Sequence, residues 1–158
     1  MAHSVEIERR FIVDGRLEKP WRNGHDSIHI RQYYIPYGDF SITENYLLYD
    51  GLKLVELSVE ESKLISKYES FTSRIRITKQ RSMFTLKGKR NHASALELEW
   101  EIDEAMADSI TTRNNFPHVE KVRFYWSGND DLIWEVDEFE GGLAGLILAE
   151  IELESETQ

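Results

Sequence analysis

The sequence predicts a mainly β, α+β domain: an eight-stranded antiparallel closed β-barrel forming a tunnel, with a few helices packed outside. Three observations predict it. Apolar and polar residues alternate with period two in eight separate segments, the pattern of strands with one dry face. Seven of those segments carry charges at i and i+2 on the polar face. Turn-forming clusters separate most of the segments, and neither an internal repeat nor a low-complexity tract interrupts the chain.

The first strand runs from Val5 to Val13, with Ile7, Phe11 and Val13 at odd positions and Glu6, Glu8 and Arg10 at even ones. The second, Ser27 to Ile35, is rich in Tyr and Ile, which suit a pleated, half-buried surface. Between about 36 and 72 the pattern breaks, and the stretch reads as an insertion into one tunnel domain spanning 1–158. Within it, Asp50-Gly51 between Tyr46-Leu47-Leu48-Tyr49 and Leu52-Lys53-Leu54-Val55 has the composition of a hairpin turn. Ser58 to Glu69, with acids early and lysines later, has instead that of a short helix capped by Ser58. Strands follow at Ser73 to Thr78, Met83 to Lys89, Ala95 to Asp103, Val119 to Trp126, Leu132 to Phe139 and Leu148 to Glu154. Asp103 to Thr112 reads as a helix capped by Asp103, with Ala105, Met106 and Ile110 as its apolar stripe. Ser127-Gly128-Asn129-Asp130 and Glu140-Gly141-Gly142 are the clearest turns.

A chain of 158 residues suits one domain with a sizeable core. It has no cysteine, which excludes disulfides, thiolate metal ligands and a thiol nucleophile. No basic segment followed by an apolar run opens the sequence, and nowhere do about 18 apolar residues run together. Cytoplasm is the expected compartment. Acidic residues outnumber basic ones by 29 to 19, for a formal charge of -10, which argues against nucleic acid or an anionic membrane as partner. The histidines stand singly and form no H-x-x-x-H pair, and the four tryptophans fall mostly on apolar parities.

Parity is the informative feature. Glu6, Glu8 and Arg10 share one face, as do Arg74 and Arg76, Lys87 and Lys89, Glu97, Glu99 and Glu101, Lys121 and Arg123, Glu135 and Asp137, and Glu150, Glu152 and Glu154. The opposite faces are apolar, as in Phe84 and Leu86 or Leu98, Trp100 and Ile102. A charged face can simply meet water. Same-sign rows repel, however, unless opposite charge answers them, and a closed barrel would set acidic and basic rows across one lumen. Arg and Lys rows offer converging donors to a polyanion. Carboxylate rows bind hard divalent cations such as Mg²⁺ or Mn²⁺ through oxygen.

Glu6-x-Glu8-x-Arg10 closely resembles the Glu-x-Glu-x-Lys signature of the CYTH proteins, also called triphosphate tunnel metalloenzymes. The resemblance continues in family order through Arg31-Gln32-Tyr33-Tyr34, Arg74-x-Arg76, Phe84-Thr85-Leu86-Lys87, Glu97-Leu98-Glu99, Val119-Glu120-Lys121-Val122-Arg123, Glu135-Val136-Asp137 and Glu150-Ile151-Glu152. It implies an eight-stranded tunnel and metal-dependent hydrolysis of a triphosphate, inorganic tripolyphosphate first, in the manner of the short bacterial members. Class IV adenylyl cyclase, thiamine triphosphatase and a non-catalytic polyphosphate or nucleotide sensor are the competing activities. A triphosphate-containing small molecule is the implied partner, and a homodimer is left open.

The resemblance also implies roles. Glu6, Glu8, Glu97, Asp137, Glu150 and Glu152 are expected to hold metal, and Arg31, Arg74, Arg76, Lys87, Lys89, Lys121 and Arg123 to bind phosphates. Arg10, Tyr34 and Glu99 are the expected catalytic residues. Arg10 stands where the family has Lys; a guanidinium keeps its proton near neutral pH, so it would act on Tyr34 through its field alone.

Overall fold

The structure, a computed structural model, describes residues 2–23, 26–43, 45–128 and 130–157. Asn129, in the turn expected at 127–130, lies outside them. The strands are β1 (Ala2–Ile12), β2 (Ser27–Ile35), β3 (Phe40–Ile42), β4 (Tyr46–Tyr49), β5 (Leu52–Glu56), β6 (Thr72–Ile77), β7 (Ser82–Lys87), β8 (Ser94–Ile102), β9 (His118–Ser127), β10 (Ile133–Phe139) and β11 (Ile147–Glu152). The helices are α1 (Val59–Ser66) and α2 (Glu104–Arg113). Eight strands close a barrel in the order β1-β11-β10-β9-β2-β6-β7-β8, and β3-β4-β5 form a separate three-stranded sheet. Every barrel pairing is antiparallel.

The eight expected barrel strands are all present. Two end two residues earlier than the alternation suggests: β7 at Lys87 and β11 at Glu152. The hairpin and the helix expected in 46–69 both form. Asp50 and Gly51 have φ of 48° and 78°, the left-handed pair that a tight two-residue hairpin requires. Ser58 and Glu61 form a reciprocal capping box at the start of α1. β3 was not foreseen.

Helix α2 starts where expected, but Asp103 caps it by backbone alone, its carbonyl accepting from Ala107 N at 3.0 Å with no side-chain cap. Its buried face is Ala107, Ile110 and Thr111, with Met106 partly buried; Ala105 is exposed. Positions one turn apart from Ile110 are 106 and 107, so Ala105 falls off the stripe.

The main hydrophobic core lies outside the barrel wall. Ile75, Phe84, Leu86, Leu98 and Trp100 point outward from β6, β7 and β8 and are covered by Leu47, Tyr49, Leu54 and Val55 of the small sheet, Ile65 of α1, and Ala107 and Ile110 of α2. Phe84 stacks on Trp100 with centroids 5.9 Å apart. The segment between β2 and β6 thus braces one side of the wall, and Glu61 pins it there: its Oε2 accepts from Trp100 Nε1 at 2.8 Å. A second cluster of Trp21, Val136, Ile147 and Ala149 covers part of the other side. With the dry faces turned outward, the alternate side chains line the lumen. Among the described residues no helix is long and apolar enough to cross a membrane.

Candidate active site

Strand order decides where the charges fall. Around the barrel β8, β1, β11 and β10 are consecutive, and they carry Glu97 and Glu99, Glu6 and Glu8, Glu150 and Glu152, and Glu135. The other consecutive four, β9, β2, β6 and β7, carry Lys121 and Arg123, Gln32 and Tyr34, Arg74 and Arg76, and Lys87. An acidic half wall therefore faces a largely basic one across a cavity of ≈ 320 Å³, a size in the range of small-ligand sites.

The acidic half is crowded. Glu6 Oε1 accepts from Lys87 Nζ at 2.8 Å and Arg90 Nη2 at 3.1 Å, and Glu8 Oε1 from Arg90 Nη2 at 2.9 Å. Arg10 Nη2 lies 3.2 Å from Glu150 Oε1 and 3.7 Å from Glu8 Oε1. Burial, and after it Glu150, push the Glu8 carboxyl up to about 8, against the pull of the Lys87 charge. Burial and then Glu6 push Glu97 up to about 7. Their partners move the other way. Burial would raise Glu6, but hydrogen bonds with Glu97 and Lys87 hold it low. Burial would raise Glu150 too, but its bond with Glu8 and the charge of Arg10 lower it. Each pair of carboxyls thus shares one proton near neutrality. Glu97 Oε2 is buried without a hydrogen-bond partner, 3.6 Å from Lys87 Nζ.

The basic half is braced from its edge, by carboxylates of β10 beside β9. Arg123 donates from Nε to Asp137 Oδ1 at 2.8 Å and from Nη2 to Oδ2 at 2.9 Å, and its Nη1 pairs with Glu135. Lys121 Nζ lies 2.7 Å from Asp137 Oδ2. Burial alone would loosen the Arg123 proton, but Asp137 reverses this and raises its pKa. Burial pushes Lys121 down to about 8; Asp137 opposes the shift, and the charges of Arg123 and Arg76 add to it. Arg76 Nε donates to Gln32 Oε1 at 3.0 Å, while burial, then Arg74 and Arg123, lower it to about 10. Arg74 Nε is buried with no partner. Cations packed this closely repel, and an anion in the lumen would relieve them.

Most of the expected site residues converge here: Glu6, Glu8, Arg10, Tyr34, Arg74, Arg76, Lys87, Glu97, Glu99, Lys121, Arg123, Glu150 and Glu152 all line the cavity. Three do not. Arg31 has the outward parity of β2, and its Nη1 donates to Tyr33 Oη at 3.2 Å; the inward positions are Gln32 and Tyr34. Lys89 lies beyond the end of β7 and is exposed. Asp137 points inward but is fully covered, both of its oxygens engaged by Arg123 and Lys121, so it positions cations where metal ligation was expected. Arg10 pairs with Glu8 and Glu150, while Tyr34 Oη accepts from Gln32 Nε2 at 3.0 Å; the expected Arg10–Tyr34 pair does not form.

Sequence reasoning missed Gln32, which ties Arg76 to Tyr34 and whose inward parity was readable. It also missed Arg90, which sits in a loop where parity says nothing. A third omission lies outside the lumen. His29 Nε2 stands 3.2 Å from Glu120 Oε2 and 3.5 Å from Glu140 Oε2, a group with metal-ligating atoms within 4.8 Å of one another. Its members come from separate strands and a turn, so no local spacing announces it.

Comparison with known proteins agrees with this architecture. No family model matches the chain. It is 31% identical over 152 residues to an inorganic triphosphatase of Acetivibrio thermocellus, covering 96% of this chain and 76% of that protein. Among solved structures, the inorganic triphosphatase NE1496 superposes with a TM-score of 0.53 at 24% identity, over 96% of this chain and 78% of that one. A putative adenylyl cyclase from Hippeastrum, described as having dominant triphosphatase activity, gives 0.52 at 16% identity, over 97% and 80%. PH1819 of Pyrococcus horikoshii gives 0.51 at 19%, over 96% and 80%. The structures share the fold; the Acetivibrio protein, related along almost the whole of this chain, shows that the chain belongs to the CYTH, or triphosphate tunnel metalloenzyme, family.

Proposed function

We propose that the tunnel hydrolyses the terminal phosphoanhydride of a linear triphosphate, inorganic tripolyphosphate foremost, with Mg²⁺ or Mn²⁺. The observation that carries this reading is the division of one lumen into an acidic and a basic half wall. A polyanion would answer the basic half, and the carboxylates of the acidic half would hold hard divalent cations beside it. The related Acetivibrio protein is an inorganic triphosphatase, which supports the same substrate class here.

The acidic half fits a metal. Its donors are all carboxylate oxygens, Glu97 Oε2 is buried without a hydrogen-bond partner, and two of its carboxyls hold protons near neutrality that a divalent cation displaces. Glu6, Glu8, Glu150 and Glu152 would hold one ion, and Glu97 with Glu99 a second. A metal bound there supplies charge neutralisation on phosphate oxygens and an acidified water.

The remaining chemistry belongs to the chain. Arg74, Arg76, Lys87, Lys121 and Arg123 grip phosphate oxygens and stabilise the charge that builds on the departing diphosphate. Asp137 beside Arg123 on the neighbouring strand and Gln32 beside Arg76 hold those guanidinium groups in place before substrate arrives, so less freedom is lost on binding. Glu99, fixed by a hydrogen bond from Thr85 Oγ1 at 3.1 Å, orients the attacking water. Arg10 keeps Glu8 and Glu150 together at the mouth.

A net charge of -10 supports a small-molecule substrate over nucleic acid or a membrane; cytoplasm is the compartment we propose. The test is phosphate release from tripolyphosphate, thiamine triphosphate and ATP, each with Mg²⁺, with Mn²⁺ and with chelator. Tripolyphosphate should turn over fastest and only with metal. Cyclic nucleotide formation without phosphate release, or tight tripolyphosphate binding without turnover, would replace this reading with a cyclase or a sensor.

A further inference from the structure

The Glu6 and Glu8 carboxylates already have a cation on them. Arg90 lies in the connection between β7 and β8, and its Nη2 donates at once to Glu6 Oε1 at 3.1 Å and Glu8 Oε1 at 2.9 Å. The same guanidinium is anchored through Nη1 to Ala93 O at 2.6 Å. Its loop is built to hold it there. Asn91 and Ser94 exchange backbone hydrogen bonds of 2.7 and 3.0 Å, Gly88 N donates to Leu96 O at 2.8 Å, and Glu8 N donates to Ala93 O at 3.1 Å, tying the loop to β1. At Gly88 an added Cβ would meet Tyr68 Cε2 at 3.0 Å, so glycine lets the Tyr68 ring pack against the start of this loop. The Arg90 side chain keeps 32% of its surface exposed, which leaves it an exit.

We infer that Arg90 is a built-in counter-cation for the Glu6–Glu8 pair, one that a metal ion must displace and that then turns to the phosphates of the incoming substrate. This rests on the reading of Glu6 and Glu8 as metal ligands. A guanidinium on two carboxylates competes with any ion for the same oxygens, so the free protein holds metal weakly. Once a metal–triphosphate complex enters, the freed guanidinium has phosphate oxygens within the reach of its loop, a partner it grips as well as it does carboxylate. Arg90 thereby favours the joint arrival of metal and triphosphate over metal alone. It is a specificity residue, and no bond is made or broken at it.

The experiment measures Mn²⁺ binding to the free protein by the loss of the free-ion electron paramagnetic resonance signal, for the wild type, Arg90→Ala, Arg90→Lys and the double variant Glu6→Gln/Glu8→Gln. Tripolyphosphate affinity in Mn²⁺ is measured in parallel by calorimetry. A neighbouring opposite charge moves a carboxylate's proton affinity by about 1–3 units, and a metal ion on the same oxygens feels the same charge. Arg90→Ala should therefore bind Mn²⁺ roughly tenfold tighter than wild type and tripolyphosphate several-fold more weakly. Arg90→Lys, which keeps the charge, should stay within a few-fold of wild type on both counts. Mn²⁺ affinity that depends on Glu6 and Glu8 but is unchanged or weakened in a folded Arg90→Ala overturns this inference alone. Mn²⁺ binding that the double variant leaves intact, or no binding by any form, overturns the metal reading and this inference with it.

Discussion

Asp137 separates two accounts of the site, because a metal ligand and a brace for cations respond differently to losing their charge. Consider Asp137→Asn. The carboxylate is fully buried and accepts from Arg123 Nε at 2.8 Å and Nη2 at 2.9 Å, with Lys121 Nζ at 2.7 Å. Arg123 and Lys121 are themselves only 10% and 7% exposed. The amide keeps one acceptor oxygen, but its NH₂ group must face a guanidinium or an ammonium, and two cations lose their buried countercharge. Breaking a buried pair from one side costs about 3–5 kcal/mol, a large share of the roughly 5–15 kcal/mol that keeps a domain folded.

Urea denaturation without ligand should show that loss at neutral pH. Arg123 and Lys121 hold the Asp137 pKa below its ordinary value against burial. A depressed carboxylate stabilises the fold above its unfolded pKa of about 3.9 and ceases to as pH falls through the folded value. The gap between wild type and variant should therefore narrow in acid. Tripolyphosphate should narrow it too, because its oxygens replace the lost anion beside Arg123 and Lys121 and ligand binding stabilises the native state. Mn²⁺ affinity should change far less than stability. A variant as stable as wild type to within about 1 kcal/mol but with metal binding abolished would refute the brace and restore Asp137 as a ligand.

Two further predictions rest on the acidic half and on the outer core. The raised carboxyls of Glu8 at about 8 and Glu97 at about 7 lie above the unfolded value of about 4.3, so their stabilising share is present below it and drains away as pH climbs through those values. Thermal melts in chelator should fall in that window, while Mn²⁺ affinity, measured by titration, should climb across it as the protons leave; affinity flat with pH would contradict the shared protons. Glu61→Ala should cost roughly 2–4 kcal/mol in urea, since it removes the capping box of α1 and leaves Trp100 Nε1 buried without a partner.

Much of the barrel was legible because the lumen is polar and the outside is dry, so each wall strand announces both its existence and its inner face by parity. What parity cannot see is where pairing stops. β7 ends at Lys87 and β11 at Glu152, leaving Lys89 and Glu154 beyond the ladder although their spacing continues the row. β3 is only Phe40–Ile42, too short for alternation to register. Arg31 stands outside the lumen for a different reason. Its charge matched a motif, yet its parity on β2 is that of His29 and Tyr33, and the uncharged Gln32 holds the inward position. On a pleated strand, parity and not charge decides which side chains face the lumen. Asp137 had the right parity, but a carboxylate on the acidic half borders β9, and the cations of that strand claim it first.

Segregation of acid from base was not written along the chain. Read in sequence order, the charged rows run acid, base, base, acid, base, acid, acid. They become two half walls only because β1 sits between β8 and β11 and closes the barrel. Closure therefore creates the site and its strain together: it gathers Glu6, Glu8, Glu97, Glu135, Glu150 and Glu152 on neighbouring strands, where the shared protons and the Arg90 bridge relieve only part of the repulsion. Burying like charges opposes folding unless counter-ions compensate, and the outer core around Phe84 and Trp100 supplies the stability that offsets it. Metal and polyanion together remove that opposition, so the ligands that fit the lumen best are those that also stabilise the closed barrel most.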